Sequence, residues 1–390
     1  MSDTALNHVK HLSVTIGPRG STTDKERAGH TYVKQTLEAL GYAPVEEKFV
    51  SGYSVYQPFY IALGLISIAW ALFYTQGPAG ALAAVALSLL VTFSVARELL
   101  VKDNPLRWLS PVGESQNVYA VAPAAAERKR RAVIAAHVDS HRTPLIWLNR
   151  TAFRIYRLIT ALGILSLLLL TVLFIAGLFA PSNPLLRSLS IYPAAVVALA
   201  FLMAVQAHFT RFTPGANDNA SGVGVLLSFA ERLKAGPLAN TEVILLATGC
   251  EEVGYYGMAD FIRRHAAEFP DARYLIVDNV AGKNAGPCYL RSEGLALPMK
   301  HDPGLLALAD RLAQDRPDLG AYSYSQQGAN SDAIQALNAG LPALSFVGYT
   351  RDGWIPNWHN KSDRFENMDA LTLDRTEEFV WEFLKRLDAG

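Results

Sequence analysis

Arg131-Ala132-Val133-Ile134-Ala135-Ala136-His137-Val138-Asp139 is the stretch that decides the fold. Residues 131–136 read as a short apolar strand that runs straight into a histidine and a carboxylate. The same layout recurs along the chain. An apolar strand at 242–247 is followed by Glu251-Glu252. A strand at 274–277 ends at Asp278, and one at 343–347 leads through a loop to His359. A further short strand is expected at 117–122. Helical patterns fill the gaps at 220–233, 257–268, 303–313, 331–339 and 373–387. An earlier helix covers 22–40, with Thr22 or Thr23 as its cap and Ala28, Tyr32, Val33, Leu37 and Leu40 on one stripe. Strands alternating with helices predict an α/β fold with a twisted, largely parallel central sheet flanked by helices. In such sheets ligands gather beyond the carboxyl ends of the strands. His137, Glu251, Glu252, Asp278 and His359 are therefore expected at one edge.

Long apolar stretches interrupt this pattern. No Asp, Glu, Lys or Arg occurs from Phe49 to Ala96, from Leu158 to Leu186, or from Ser188 to Thr210. A membrane-spanning helix needs about 20 apolar residues. The first stretch holds two spans, 58–74 and 79–95, split by Thr75-Gln76-Gly77-Pro78. The others give 158–180 and 191–207. These four transmembrane helices make two hairpins, 56–97 and 151–208. They leave 1–55, 98–150 and 209–390 as one catalytic domain on one side of a lipid bilayer. The turns between spans carry only Arg187, whereas Arg97, Lys102, Arg107, Arg142, Arg150, Arg154, Arg157 and Arg211 lie on the flanks. By the positive-inside rule that domain is expected in the cytoplasm, on a bacterial-type inner membrane. Residues 1–48 are charged and polar and do not read as a signal peptide.

Composition narrows the function classes. Lys+Arg and Asp+Glu are both 35, and a chain with no basic excess is not expected to bind nucleic acid. With 51% hydrophobic residues, disorder is excluded. The two cysteines, Cys250 and Cys288, cannot form a disulfide scaffold and fit a reducing compartment.

Two histidines and several carboxylates at strand ends are a divalent-metal donor set suited to zinc. Gly215-Ala216-Asn217-Asp218-Asn219-Ala220-Ser221-Gly222 adds a carboxylate at a helix start. Singly, each residue has an ordinary structural use: Asp218 as a cap, Asp278 in an ion pair, His359 at the surface. Their joint order carries the reading.

That order, His137-x-Asp139, then 215–222, then Glu251-Glu252-Val253-Gly254, then Asp278, then His359, resembles the M28 zinc peptidases. Ile16-Gly17-Pro18-Arg19-Gly20-Ser21, Ser331-Asp332, Ala339-Gly340-Leu341-Pro342 and His359-Asn360-Lys361-Ser362-Asp363 are also similar to that family. The resemblance covers most of the polar segments. It implies two zinc ions, one on His137 and Asp278, the other on Glu252 and His359, with Asp218 bridging. It implies Glu251 as general base and Asp139 as the residue that fixes the non-ligating nitrogen of His137. Adjacent residues on a regular strand point apart, so Glu251 and Glu252 must sit on the loop just past theirs. There are departures. Asn217 stands where many relatives carry a second acid. Gly328 stands near where some carry a carbonyl-polarising tyrosine, with Tyr322 and Tyr324 further upstream. Ala333 follows the Ser-Asp pair where relatives often have histidine. The implied function is a membrane-anchored metallo-aminopeptidase acting on peptides with a free N-terminus. The alternatives are a carboxypeptidase, using Lys283, Arg291 or Arg351 for the terminal carboxylate; a glutaminyl-cyclase-like enzyme, which typically uses one zinc; and a non-catalytic membrane receptor or scaffold. The second hairpin falls between His137 and Asp218, so it is expected either to shape access to the site or only to anchor it.

Overall fold

The computed structural model describes residues 3–181, 183–295 and 297–390; residues 1, 2, 182 and 296, which fall within the 1–55, 151–208 and 209–390 segments, lie outside the described residues. The helices are α1 (Asp3–Lys10), α2 (Asp24–Ala39), α3 (Gln57–Thr75), α4 (Gly77–Leu99), α5 (Pro105–Trp108), α6 (Arg150–Phe179), α7 (Pro184–His208), α8 (Ser221–Ala235), α9 (Tyr256–His265), α10 (Pro303–Asp315), α11 (Ala333–Asn338) and α12 (Ala370–Ala389). The strands are β1 (Val45–Gly52), β2 (Val112–Ala122), β3 (Arg130–His137), β4 (Thr241–Thr248), β5 (Ala272–Asp278), β6 (Cys288–Glu293), β7 (Met299–Lys300), β8 (Tyr322–Ser325) and β9 (Ala343–Val347). The chain divides into two units: Met1–Ser51, Val112–Arg142 and Phe212–Gly390; and Gly52–Pro111 with Thr143–Arg211.

The first unit is a mixed α/β fold. Its strands form one sheet in the order β1-β2-β4-β3-β5-β9-β6-β7, with β8 on β6. The expectation of parallel pairing holds for the centre: β4, β3, β5 and β9 are parallel neighbours. It fails at the flanks, where β2 runs antiparallel to β4, and β6 antiparallel to β9 and β7. The reason for β2 is covalent. Only residues 123–129 join it to β3, too few for the crossover a parallel pair needs. The central strands read as continuous apolar runs because both faces are covered. Ala132, Ile134 and Ala136 of β3 join one core with residues of α2, α8 and α12. Val133 and Ala135 join the opposite core with Met258 and Phe261 of α9 and with Ala333 and Ala336 of α11.

Helix α2 is tied to a strand-end loop through its first turn. Thr23 caps it, accepting from the Glu26 N–H at 3.3 Å. The Glu26 carboxylate accepts from the Thr22 N–H at 2.6 Å and from the Cys250 N–H at 2.9 Å, one residue before Glu251. One turn further, His30 is buried and neither ring nitrogen has a hydrogen-bond partner. Burial pulls its pKa from 6.5 down to about 3, so the fold requires the neutral ring. Stability from this group is complete above about pH 6.5 and is lost as pH falls toward 3, because the unfolded chain then takes up the proton. Between pH 7 and pH 5 the loss is about 2 kcal/mol. His30→Leu should flatten the fall of Tm across that window, measured by thermal unfolding in detergent; a slope equal to wild type would refute the assignment.

In the second unit, α3, α4, α6 and α7 have 19, 23, 30 and 25 residues and are long and apolar enough to cross a membrane. Ala62, Ile66, Phe73, Ala84, Leu170 and Phe174 pack inward, together with Leu106 of α5. Leu82, Leu89, Phe93, Leu165, Val172 and Leu202 are exposed. Helices apolar on their outer as well as their inner faces have the surface of membrane spans. Helix α6 begins eight residues before the expected 158, because Asn149 caps it by accepting from the Ala152 N–H at 2.9 Å. The arginines 150, 154 and 157 are carried within the helix rather than before it.

Candidate metal centre

Parallel pairing brings the ends of β4, β3, β5 and β9 to one edge. His137 is the last residue of β3 and pairs with Thr248, the last of β4; Asp278 is the last of β5. Glu251 and Glu252 lie in the turn after β4, as their joint use requires. Cys250 takes a positive φ of 54° there, and the Gly254 and Tyr255 N–H groups donate to the Glu251 carbonyl at 3.0 and 2.9 Å. Asp218 lies in the loop entering α8, and its peptide bond to Asn219 is cis. His359 lies in the loop after β9. All seven residues singled out in the sequence, Asp139 included, are buried.

The side chains converge on Asp218. Its Oδ1 is 3.3 Å from His137 Nε2, which is itself 3.4 Å from Asp278 Oδ1. Its Oδ2 is 3.2 Å from His359 Nε2, which is 3.2 Å from Glu252 Oε2. Zinc binds nitrogen and oxygen at about 2.0–2.2 Å, so neighbouring donors of a tetrahedral ion lie about 3.3–3.6 Å apart. The four separations, 3.2–3.4 Å, lie at or just below the short end of that spacing, and each Asp218 oxygen belongs to a different group. Glu251 Oε2 stands further from His137 Nε2, at 3.9 Å. Neither Asp218 Oδ2 nor Glu252 Oε1 has a hydrogen-bond partner, although both are buried. Buried anions without such partners are met by ions or metals. The residues present therefore fit a divalent-metal site: His137 with Asp218 and Asp278, and Glu252 with His359, form groups that could hold an ion.

The charges agree. Burial and the acids Asp218, Asp139 and Asp278 raise the Glu252 carboxyl well above its usual range, against the pull of His137. Burial does the same for Glu251, aided by Glu252, Asp332 and Asp278. Asp218 is the exception: burial would raise it, but His137 and His359 hold it well below the ordinary carboxylate range. Asp332, whose carboxylate accepts from Thr248 Oγ1 at 2.6 Å, is pushed up to about 7 by burial.

Three residues that the sequence reading gave no role, or a different one, hold the loops. Asp139 was expected to fix His137 through its carboxylate. The Asp139 backbone carbonyl is the nearer acceptor of His137 Nδ1, at 3.1 Å against 3.4 Å for the carboxylate. The carboxylate, which also faces His137 Nδ1, accepts from the N–H groups of Glu251 at 3.1 Å and Glu252 at 3.2 Å, and from Ser21 Oγ at 2.6 Å. Asp363 accepts from the N–H groups of Asn217 at 2.7 Å and Asp218 at 3.0 Å. Arg19 is fully buried, and its guanidinium donates to the carbonyls of Leu12, Gly17, Val138, Pro214 and Gly215 at 2.8–3.1 Å. It stitches the His137 loop to the Asp218 loop. Asn217, in place of an acid, is scaffolding: its Oδ1 accepts from the Ala281 N–H at 2.8 Å and its Nδ2 donates to Asn279 at 3.1 Å. Arg19→Met should strand several buried carbonyls and cost about 3–5 kcal/mol. A Tm within a few degrees of wild type, in thermal unfolding of the metal-free protein, would count against this.

A third histidine also reaches the centre. His141 Nδ1 is 2.6 Å from Glu252 Oε2, and its ring stacks on His359 with centroids 3.6 Å apart. The signal was present as His137-Val138-Asp139-Ser140-His141. Of the tyrosines considered as carbonyl donors, Tyr322 donates its hydroxyl to the Tyr349 carbonyl, and the Tyr324 ring stacks on Tyr349.

Comparison with known proteins places part of the chain in a family. Residues 198–384 match the model of Peptidase family M28, a span that takes in Asp218, Glu251, Glu252, Asp278 and His359 but not His137. Aminopeptidase YwaD of Bacillus subtilis is 26% identical over 185 residues, covering 45% of this chain and 39% of that protein. The probable lipoprotein aminopeptidase LpqL of Mycobacterium tuberculosis is 25% identical over 184 residues, 41% of this chain and 37% of that protein. The chain thus spans well under half the length of these relatives. Among solved structures, BSAP, a zinc aminopeptidase from Bacillus subtilis, has a TM-score of 0.59 at 14% identity, over 99% of this chain and 94% of that one. Porphyromonas gingivalis glutaminyl cyclase has 0.56 at 17%, over 99% and 98%. These two likenesses concern the fold.

Proposed function

We propose that the M28 peptidase domain of this chain is a two-zinc metallo-aminopeptidase, carried in the membrane by α3, α4, α6 and α7. The observation that supports it most is the divided use of Asp218, with one oxygen in the His137–Asp278 group and the other in the Glu252–His359 group. His137, Asp278, Glu252, His359 and the shared Asp218 would hold the ions. When bound, two such ions lower the pKa of water and polarise a carbonyl.

The chain's own residues supply the rest. Glu251 is the general base. Its Oε2 stands 3.9 Å from His137 Nε2, at the centre but farther from it than the donors are from one another. Its Oε2 takes the proton of the attacking water and passes it to the departing amine. Asp139 holds the backbone of Glu251 and Glu252, so base and ligand keep a fixed spacing. A carboxypeptidase is less well supported. Arg291, one of its candidate carboxylate partners, is engaged with Asp310 at 2.6 Å, and Arg351 lies over the Tyr322 ring. A cyclase would need one ion where this donor set suits two. The excess of basic residues outside the short turns supports a cytoplasmic catalytic domain.

The test is amino-acid release by detergent-purified protein from peptides with free and blocked N-termini, with and without chelator. Release from free N-termini only, abolished by chelation and restored by zinc, is expected. Release of ammonia from N-terminal glutamine peptides without hydrolysis would replace the peptidase by a cyclase.

A further inference from the structure

His141 lies two residues beyond Asp139 and has no role among those assigned above. We infer that it positions Glu252 and His359, and thereby sets the affinity of one metal position independently of the other. The inference rests on the two-metal reading. Its Nδ1 is 2.6 Å from Glu252 Oε2, and its ring lies on that of His359 at 3.6 Å and 14° between planes. It bears on the two ligands that the ions do not share on one side. The unshared ligands on the other side are held differently, His137 by the Asp139 carbonyl and Asp278 by Asn279 Nδ2 at 2.9 Å.

The short distance separates positioning from ligation. Two ligands of one tetrahedral zinc stand about 3.3–3.6 Å apart. A separation of 2.6 Å is shorter than that and is a hydrogen bond between the ring and the carboxyl group. With a zinc ion on Glu252 the carboxylate is ionised, and Nδ1 is then the donor. Glu252 Oε1 has no hydrogen-bond partner, so the His141 contact fixes which oxygen Glu252 turns toward His359. The stack fixes the plane of the His359 ring at the same time. Loss of such an outer partner typically costs about 10–100-fold in metal affinity.

The experiment titrates metal-stripped, full-length protein in detergent with zinc, against a chromophoric chelator. Wild type, His141→Phe and His141→Asn are compared. Wild type should take up two ions. The phenylalanine variant should bind one ion as wild type does and the other about 10–100-fold more weakly. Asparagine, whose amide N–H lies near the position of Nδ1, should recover part of that loss. Should the phenylalanine variant fail to fold, alanine against asparagine carries the same comparison. Wild-type binding by the donor-less variant overturns the inference, as does equal weakening of both ions or an asparagine variant no better than phenylalanine. A wild type that takes up a single ion overturns the two-metal reading, and this inference with it.

Discussion

Glu251→Gln should keep both zinc ions and lose about 10²–10⁴-fold in kcat, the usual worth of a positioned general base. The geometry separates the two effects. Glu251 Oε2 is 3.9 Å from His137 Nε2, outside the 3.2–3.4 Å separations of the four donor pairs, so the change removes no ligand. Glutamine preserves the shape and removes the proton acceptor. It also removes a buried carboxyl that burial, Glu252, Asp332 and Asp278 raise, so the metal-free variant should be at least as stable as metal-free wild type. Metal content by elemental analysis, kcat on a free-N-terminus peptide and Tm without metal give three readings. Near-normal turnover would end the base assignment. Lost metal would move Glu251 among the ligands.

Asp218→Ala should do the opposite, losing metal first and activity with it. Each ion would lose a donor, and the histidines on both sides would lose the carboxylate they share. The fall in activity should exceed that of Glu251→Gln, beyond about 10⁴-fold, because binding fails as well as proton transfer. Bound zinc should drop below two per chain. Two ions retained at wild-type affinity would remove the bridging role. Activity lost at unchanged stoichiometry would confine Asp218 to catalysis.

Much of this centre was legible because its chemistry is local. His137 and Asp278 directly follow, and Glu251-Glu252 lie a few residues beyond, apolar runs that period and length identify as strands. What the sequence concealed are the parts that act across long separations. Arg19 looks like one surface cation in a Gly-rich segment; its burial depends on five carbonyls, two of them nearly 200 positions away. Asp363 stood in a recognisable motif, but its hold on the Asp218 loop is a contact between distant segments. His141 was visible beside Asp139, yet its meaning comes from Glu252 and His359. The strands β6, β7 and β8 were not anticipated. They are short and only partly apolar, as in Tyr322-Ser323-Tyr324-Ser325, and the sheet rather than their own pattern makes them strands. The direction of β2 could have been read from its short link to β3.

Arg142 and Phe212 face each other across an antiparallel bridge, with the Thr213 N–H donating to the His141 carbonyl at 2.9 Å beside it. Strands β1 and β2, which bracket the other excursion, are neighbours in the sheet. Each excursion therefore departs and returns through a paired doorway, and closing a longer loop at such a point costs little more than closing a shorter one. With this wiring, the four long apolar helices are an addition to the sheet rather than part of it. Either hairpin can be lengthened or shortened without redrawing the sheet that brings His137, Glu251, Glu252 and Asp278 to one edge. The same doorways mark where short linkers could replace 53–111 and 143–211 together to give a trimmed chain for solution work.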